Sequence, residues 1–129
     1  MVTKMREASI LVVDDDQDVL EMADCFFRKA GMEVHCAESG EEALEIFREK
    51  SFSVVITDFN MPGMNGVELA KKVQELNTPT AVILATGQPS KELSELAMQA
   101  GIKTVLPKPL HMEKLLTLVN EMVEFTFSG

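Results

Sequence analysis

The stretch ILVVDDD, residues 10–16, decides how the chain is read: four apolar residues without a polar break run straight into three acids. So short a run, rich in β-branched residues and lacking polar alternation, suits a strand covered on both faces, as in a parallel sheet. Outward from it, Val54 to Ile56, Ala81 to Leu84, and Val105 with Leu106 repeat the pattern, and Glu33 to Ala37 forms a weaker strand. Between them lie stretches of helical spacing, clearest at Val19, Met22, Ala23, Phe26 and Ala30 and at Leu93, Leu96, Ala97 and Ala100. Others run near 40–50, 65–76 and 111–125. Gly31 and Gly101 close two of the stripes, and Pro89 with Ser90 opens one. Strand and helix thus alternate five times, and right-handed crossovers would put helices on both faces of one sheet. The expected fold is α/β: a doubly wound five-stranded parallel sheet, strand order 2-1-3-4-5, with five helices and a switch point between strands 1 and 3.

With 129 residues, one domain is expected over 1–129, with no repeat or linker inside it. Hydrophobic residues at 46% and charged residues at 26% are ordinary for a globular protein, and no apolar run is long enough to cross a bilayer. A net charge of -9 opposes a nucleic-acid surface, which needs clustered Lys and Arg. The start MVTKMREASILVV lacks the pattern of a secretory signal, so a cytoplasmic location is the default expectation. Cys25 and Cys36 read as buried reduced thiols, not as a disulfide or a metal site.

The chemistry gathers where strands end. Val12-Val13 runs into Asp14-Asp15-Asp16, Val55-Ile56-Thr57 into Asp58, Leu84-Ala85 into Thr86, and Leu106-Pro107 into Lys108. Ligands of open α/β sheets bind at this carboxyl edge. If strands 1 and 3 are neighbours, Asp14 and Asp15 meet Asp58, and such carboxylates repel unless a cation or a proton intervenes. Mg²⁺, which prefers oxygen ligands and keeps several waters, suits a half-open acidic cluster, whereas Zn²⁺ would lack His or Cys ligands. Singly, each position has a plainer reading: Asp14 to Asp18 as a cap and turn, Asp58 as a turn residue, Lys108 as a solvated base before Pro109. Together the four positions outweigh those readings.

From about Ser9 to Phe125 the sequence resembles the receiver domains of bacterial two-component systems, through ILVVDDD, TDFNMPGMNGVEL, ILATG and LPKP in the family's order and spacing. The resemblance implies that Asp58 accepts a phosphoryl group, that Asp14 and Asp15 hold Mg²⁺ with Asp58, and that the backbone carbonyl of Asn60 completes the metal ligands. It also implies that the Thr86 hydroxyl and the Lys108 ammonium engage the incoming phosphoryl oxygens. The donor would be a phosphohistidine on a sensor histidine kinase or histidine phosphotransfer protein. An output domain or effector protein would dock on the face of helix 4, strand 5 and helix 5. Such a domain catalyses its own phosphorylation and is not a turnover enzyme on external substrates. The chemistry agrees, because phosphoryl transfer asks mainly for an ionised nucleophile, an in-line donor and positive charge on the equatorial oxygens.

Several positions carry narrower expectations. Pro62-Gly63-Met64-Asn65-Gly66 should form a tight loop into the third helix, and the Lys108-Pro109 bond is cis by family analogy. The family usually has Tyr or Phe three residues before the Lys; here stands Val105, read as buried, so Thr86 would move without an aromatic readout. Gly87 adds backbone freedom after strand 4, and by resemblance Asn60 and Gln88 flank the approach of water to the acyl phosphate. Leu20 replaces a common Arg on what is read as the exposed side of the first helix. His35 and His111 read as structural, the methionines as core filler, and Glu38, Glu41, Glu42 and Glu45 as a solvated helix start.

Other functions fit less well. Asp14, Asp16 and Asp18 have the first spacings of a calcium-binding EF-hand, but Val19 and Cys25 stand where Gly and Glu are required. An Asp-nucleophile phosphatase would not place Asp18 at its Thr or Val position and would need a cap domain. A flavodoxin-like electron carrier shares the fold, yet the acidic first loop cannot cradle a phosphate. A constitutive protein-binding module would normally have lost an acceptor, metal or Lys residue, and none is missing.

Overall fold

Five strands alternate with five helices: β1 (Ser9–Val13), α1 (Gln17–Lys29), β2 (Glu33–Ala37), α2 (Gly40–Glu49), β3 (Val54–Asp58), α3 (Gly66–Glu75), β4 (Ala81–Thr86), α4 (Lys91–Gln99), β5 (Thr104–Pro107) and α5 (Met112–Ser128). The structure, a computed structural model, describes residues 8–76 and 79–128, with side chains as far as residue 123. Residues 1–7, the segment that bears on a secretory signal, lie outside it. All strand pairs are parallel and the sheet order is β2-β1-β3-β4-β5, as the alternation predicts. Among the described residues no helix is long and apolar enough to cross a membrane.

Strand alternation sends successive side chains to opposite faces. Leu11, Val13, Val55, Val82 and Leu84 pack with residues of α2, α3 and α4, while Ile10, Val12, Val54, Ile56 and Ile83 pack with α1 and α5. Helices on both faces are the reason that the strand sequences carry no polar alternation. Asp16, Ser39, Asn65 and Ser90 cap α1 to α4 by accepting backbone N–H groups, and Asn65 with Glu68 forms a full capping box. Gly31 and Gly101 follow α1 and α4 at φ 86°, a conformation that side chains with a Cβ rarely adopt.

Helix α1 corrects the sequence reading. Leu20, Ala23 and Phe27 are its buried residues; Val19 and Phe26 are half-buried, and Met22 and Ala30 exposed. The doublets Val19-Leu20 and Phe26-Phe27 offer two stripes of equal period one residue apart, and docking on the sheet selects the second. Leu20 is therefore a core residue and not a surface one. Cys25 lies two residues from both Ala23 and Phe27, hence on the far side of the helix, and is exposed; Cys36 is half-buried. Both thiols are free. Leu96, Met22 and Met98 are likewise exposed, at 49%, 48% and 74%, and Val105 is half-buried at the sheet edge strand β5. His35 bonds Glu33 and packs its ring against Phe52, and His111 is exposed just before α5.

The phase of α1 can be tested directly. Phe27→Ala empties a fully buried site and should cost about 3–5 kcal/mol in denaturant unfolding. Phe26→Ala, which removes a half-buried ring and its edge contact with Phe27, should cost about 1 kcal/mol. The reverse order would restore the other stripe.

Candidate functional site

Adjacent strands β1 and β3 deliver Asp14 and Asp58 to one edge. Asp14 is 3% exposed and Asp58 8% exposed, while Asp15 faces solvent. Asp14 is held in place: its N–H donates to the Ala37 carbonyl at the end of β2 (3.1 Å), and its Oδ1 accepts the Asp16 N–H (2.9 Å). Carboxylate oxygens of Asp14, Asp15 and Asp58 all lie within 4.8 Å of one another. Two unit charges about 4 Å apart repel by about 4 kcal/mol at an effective dielectric constant near 20, so the site calls for a counter-charge.

Lys108 supplies the internal one. It follows β5, its N–H donates to the Thr86 carbonyl (2.8 Å), and the Lys108–Pro109 bond is cis, as family analogy suggests. Its Nζ donates to Asp14 Oδ2 (2.9 Å) and lies 3.2 Å from Asp58 Oδ1. One ammonium against three carboxylates leaves an excess of negative charge. Burial pushes the Asp58 carboxyl above the usual carboxylate range, repulsion from Asp14 adds to this, and Lys108 only partly offsets it. For Lys108, burial opposes the charge, but the bond to Asp14 and the attraction of both acids win and hold its pKa above the ordinary value.

Thr86 ends β4, one residue beyond Ala85, the register partner of Asp58. Its hydroxyl oxygen accepts the Gln88 N–H (3.0 Å), which leaves the hydroxyl proton free to be donated. Asn60 is exposed, two residues past Asp58 in the loop that follows β3. Neither Thr86 nor Asn60 has a hydrogen bond to the acidic cluster among the described residues, so the structure brings together Asp14, Asp15, Asp58 and Lys108 and places the other two beside them. The loop after β3 contains Gly63 at φ 79° and closes into α3 through Asn65, as the Pro-Gly and Asn-Gly signals predict. Sequence reasoning gave no role to Thr57, whose hydroxyl bonds the Asp58 carbonyl, or to the close packing of Gly66 on that carbonyl. The one available signal was a hydroxyl residue closing an otherwise apolar run.

The donor set fits a hard divalent cation: oxygen ligands only, two of them buried where β1 and β3 end and one exposed.

An acidic cluster answered by one lysine, at the switch point of a 2-1-3-4-5 sheet, defines an α/β protein with a cation-receptive carboxylate site. More narrowly, the chain belongs to the response regulator receiver domain family, whose model matches residues 10–120. The family is that of two-component response regulators, in which a phosphoacceptor role is typical. The chain is 35% identical over 108 residues to a response regulator receiver protein of Anaeromyxobacter sp. (strain Fw109-5), covering 84% of this chain and 45% of that protein. Among solved structures it is similar to chemotaxis protein CheY4 of Vibrio cholerae, with a TM-score of 0.86 and 32% identity over 91% of this chain and 99% of that one. It is also similar to a BeF3-activated DrrB receiver domain, with a TM-score of 0.84 and 29% identity over 92% and 99% of the two chains. The chain spans between about a fifth and a half of the length of the curated relatives it matches.

The raised Asp58 pKa has a consequence for stability. The folded state binds this proton more tightly than the unfolded state, so the penalty grows as pH rises from the unfolded value toward the folded one and is complete above it. In metal-free buffer at neutral pH, Asp58→Asn should therefore melt at a higher temperature than the wild type, and the gap should close as pH falls toward the ordinary carboxylate pKa. A gap that widens in acid would contradict this account of the site.

Proposed function

We propose that residues 1–129 form a single receiver domain that takes a phosphoryl group onto Asp58 and thereby changes its affinity for an output partner. The observation that carries this reading is Lys108 Nζ held between Asp14 and Asp58, beside a third acid within 4.8 Å. Asp58 is the nucleophile. A carboxylate oxygen attacks phosphorus in line, the P–N bond of a phosphohistidine breaks, and the imidazole leaves with the electron pair and takes a proton from solvent. Asp14, Asp15, Asp58 and the Asn60 carbonyl would hold Mg²⁺, which when bound supplies positive charge to the phosphoryl oxygens. Lys108 and the Thr86 hydroxyl bind the transferred oxygens, Lys108 exchanging its carboxylate partners for the new phosphate. Asn60 and Gln88 flank the path by which water would reach the acyl phosphate.

The donor is a sensor histidine kinase or a histidine phosphotransfer protein, in keeping with a cytoplasmic setting. Its docking is supported by a cleft of about 370 Å³ beside Lys108, lined by Val19, Met22, Pro109, Leu110 and Met112 along with Asp16. Output runs through the face of α4, β5 and α5, where Val105 stands in place of an aromatic ring. The domain is not a turnover enzyme on external substrates.

Intact mass after incubation with acetyl phosphate tests the reading. One phosphoryl increment is expected with Mg²⁺ present, none with a chelator, and none in Asp58→Asn. Lys108→Ala should slow the reaction by about a hundredfold or more, the loss that follows removal of a donor aimed at transition-state charge. Labelling that persists in Asp58→Asn would place the acceptor elsewhere.

A further inference from the structure

Thr57 has no exposed surface, and its register partners in β1 and β4 are Val13 and Leu84. By strand alternation it shares the face of Val55, where the surrounding α2–α4 cluster is hydrocarbon. Valine would fill this space with nothing to desolvate, so a hydroxyl here has to be used. It donates to the carbonyl oxygen of Asp58 at 3.0 Å. The N–H of the same peptide unit, that of Phe59, donates to the Ala85 carbonyl at 2.9 Å. Gly66 closes on the unit from a third side: a Cβ there would lie 2.5 Å from the Asp58 oxygen and 2.6 Å from Leu84 Cδ1. The peptide plane joining Asp58 to Phe59 is thus gripped at its oxygen and its nitrogen and packed against a bare Cα.

This plane lies between two groups of the site, the Asp58 carboxylate before it and the Asn60 carbonyl after it. We propose that Thr57 is a positioning residue, whose hydroxyl, by holding the Asp58 carbonyl, sets the angle of the 58–59 peptide and so the aim of the Asp58 carboxylate and the Asn60 carbonyl. The inference rests on the reading of these two as phosphoacceptor and metal-facing carbonyl. Without the hydroxyl, the Asp58 carbonyl is unpaired in a dry environment and turns toward any other donor, and both flanking groups turn with it.

The test compares Thr57→Val, which keeps the shape and removes the donor, with Thr57→Ser, which keeps the donor. Three quantities are read in the full chain: Mg²⁺ affinity by calorimetric titration, the rate of phosphorylation by acetyl phosphate, and exchange of the Phe59 amide by NMR. Loss of one hydrogen bond predicts that Thr57→Val falls by roughly threefold to tenfold in both affinity and rate, with faster Phe59 exchange, while Thr57→Ser stays within about twofold of wild type. A Thr57→Val protein that matches wild type in affinity and rate overturns the proposal, as does an equal loss in Thr57→Ser, which marks a packing role. If Thr57→Val does not fold, Thr57→Cys, of similar size with a much weaker donor, takes its place with the same expectations. A wild type that binds Mg²⁺ but accepts no phosphoryl group would sink the reading of Asp58 as acceptor, and the Mg²⁺ titrations alone would then decide for or against Thr57. A wild type that binds no Mg²⁺ sinks both.

Discussion

Mutual repulsion of carboxylates at one sheet edge is the constraint on which this molecule turns. Sheet order makes Asp14 and Asp58 neighbours, because β1 lies directly beside β3. The fold tolerates the arrangement by giving each charge an outlet. Asp15 reaches solvent, Asp14 is bonded by a backbone N–H and by Lys108, and Asp58 keeps an elevated pKa as the residual strain. A cation at this edge would offset the excess negative charge that the single ammonium of Lys108, spanning Asp14 and Asp58, leaves there.

The edge can bear this cost because the central strands beneath it are covered on both faces. Two apolar clusters, one under α2 to α4 and one under α1 and α5, bury both faces of β1, β3 and β4, and burial of apolar surface is the main favourable term in folding. Rigidity follows the same route. The loop that leaves Asp58 is tied down within a few residues, by the Phe59 N–H bonding Ala85, by Gly66 against the Asp58 carbonyl and by the Asn65–Glu68 capping box. The site is therefore built on strand ends and a pinned loop, with Asp15, Asn60 and the Gly87–Gln88 segment facing water.

Where reading the sequence failed, it failed in helix phase and in fractional exposure. Val19-Leu20 and Phe26-Phe27 satisfy a 3.6-residue period in two registers, and only contact with β1 and β2 chooses Leu20 and Phe27. Leu96, Met22 and Met98 are apolar and helical yet exposed, since composition does not say which side of a helix meets the sheet. Thr57 passed as the last residue of a strand, because a hydroxyl's partner is a matter of angle and distance.

The sequence by itself determined the class of fold and the residues of the candidate site. Runs such as ILVV and AVIL have no polar face to turn outward, so they require cover on both sides, and each strong strand ends on Asp14, Asp58, Thr86 or Lys108. Tertiary structure alone decided how those residues meet: that Lys108 spans Asp14 and Asp58, that Thr86 accepts the Gln88 N–H, and that the Thr57 hydroxyl donates to the Asp58 carbonyl. The physical reason is range. Periodicity and strand-end chemistry are local and survive in one dimension, whereas hydrogen bonds and ion pairs depend on ångström-scale distances between segments as far as 94 residues apart.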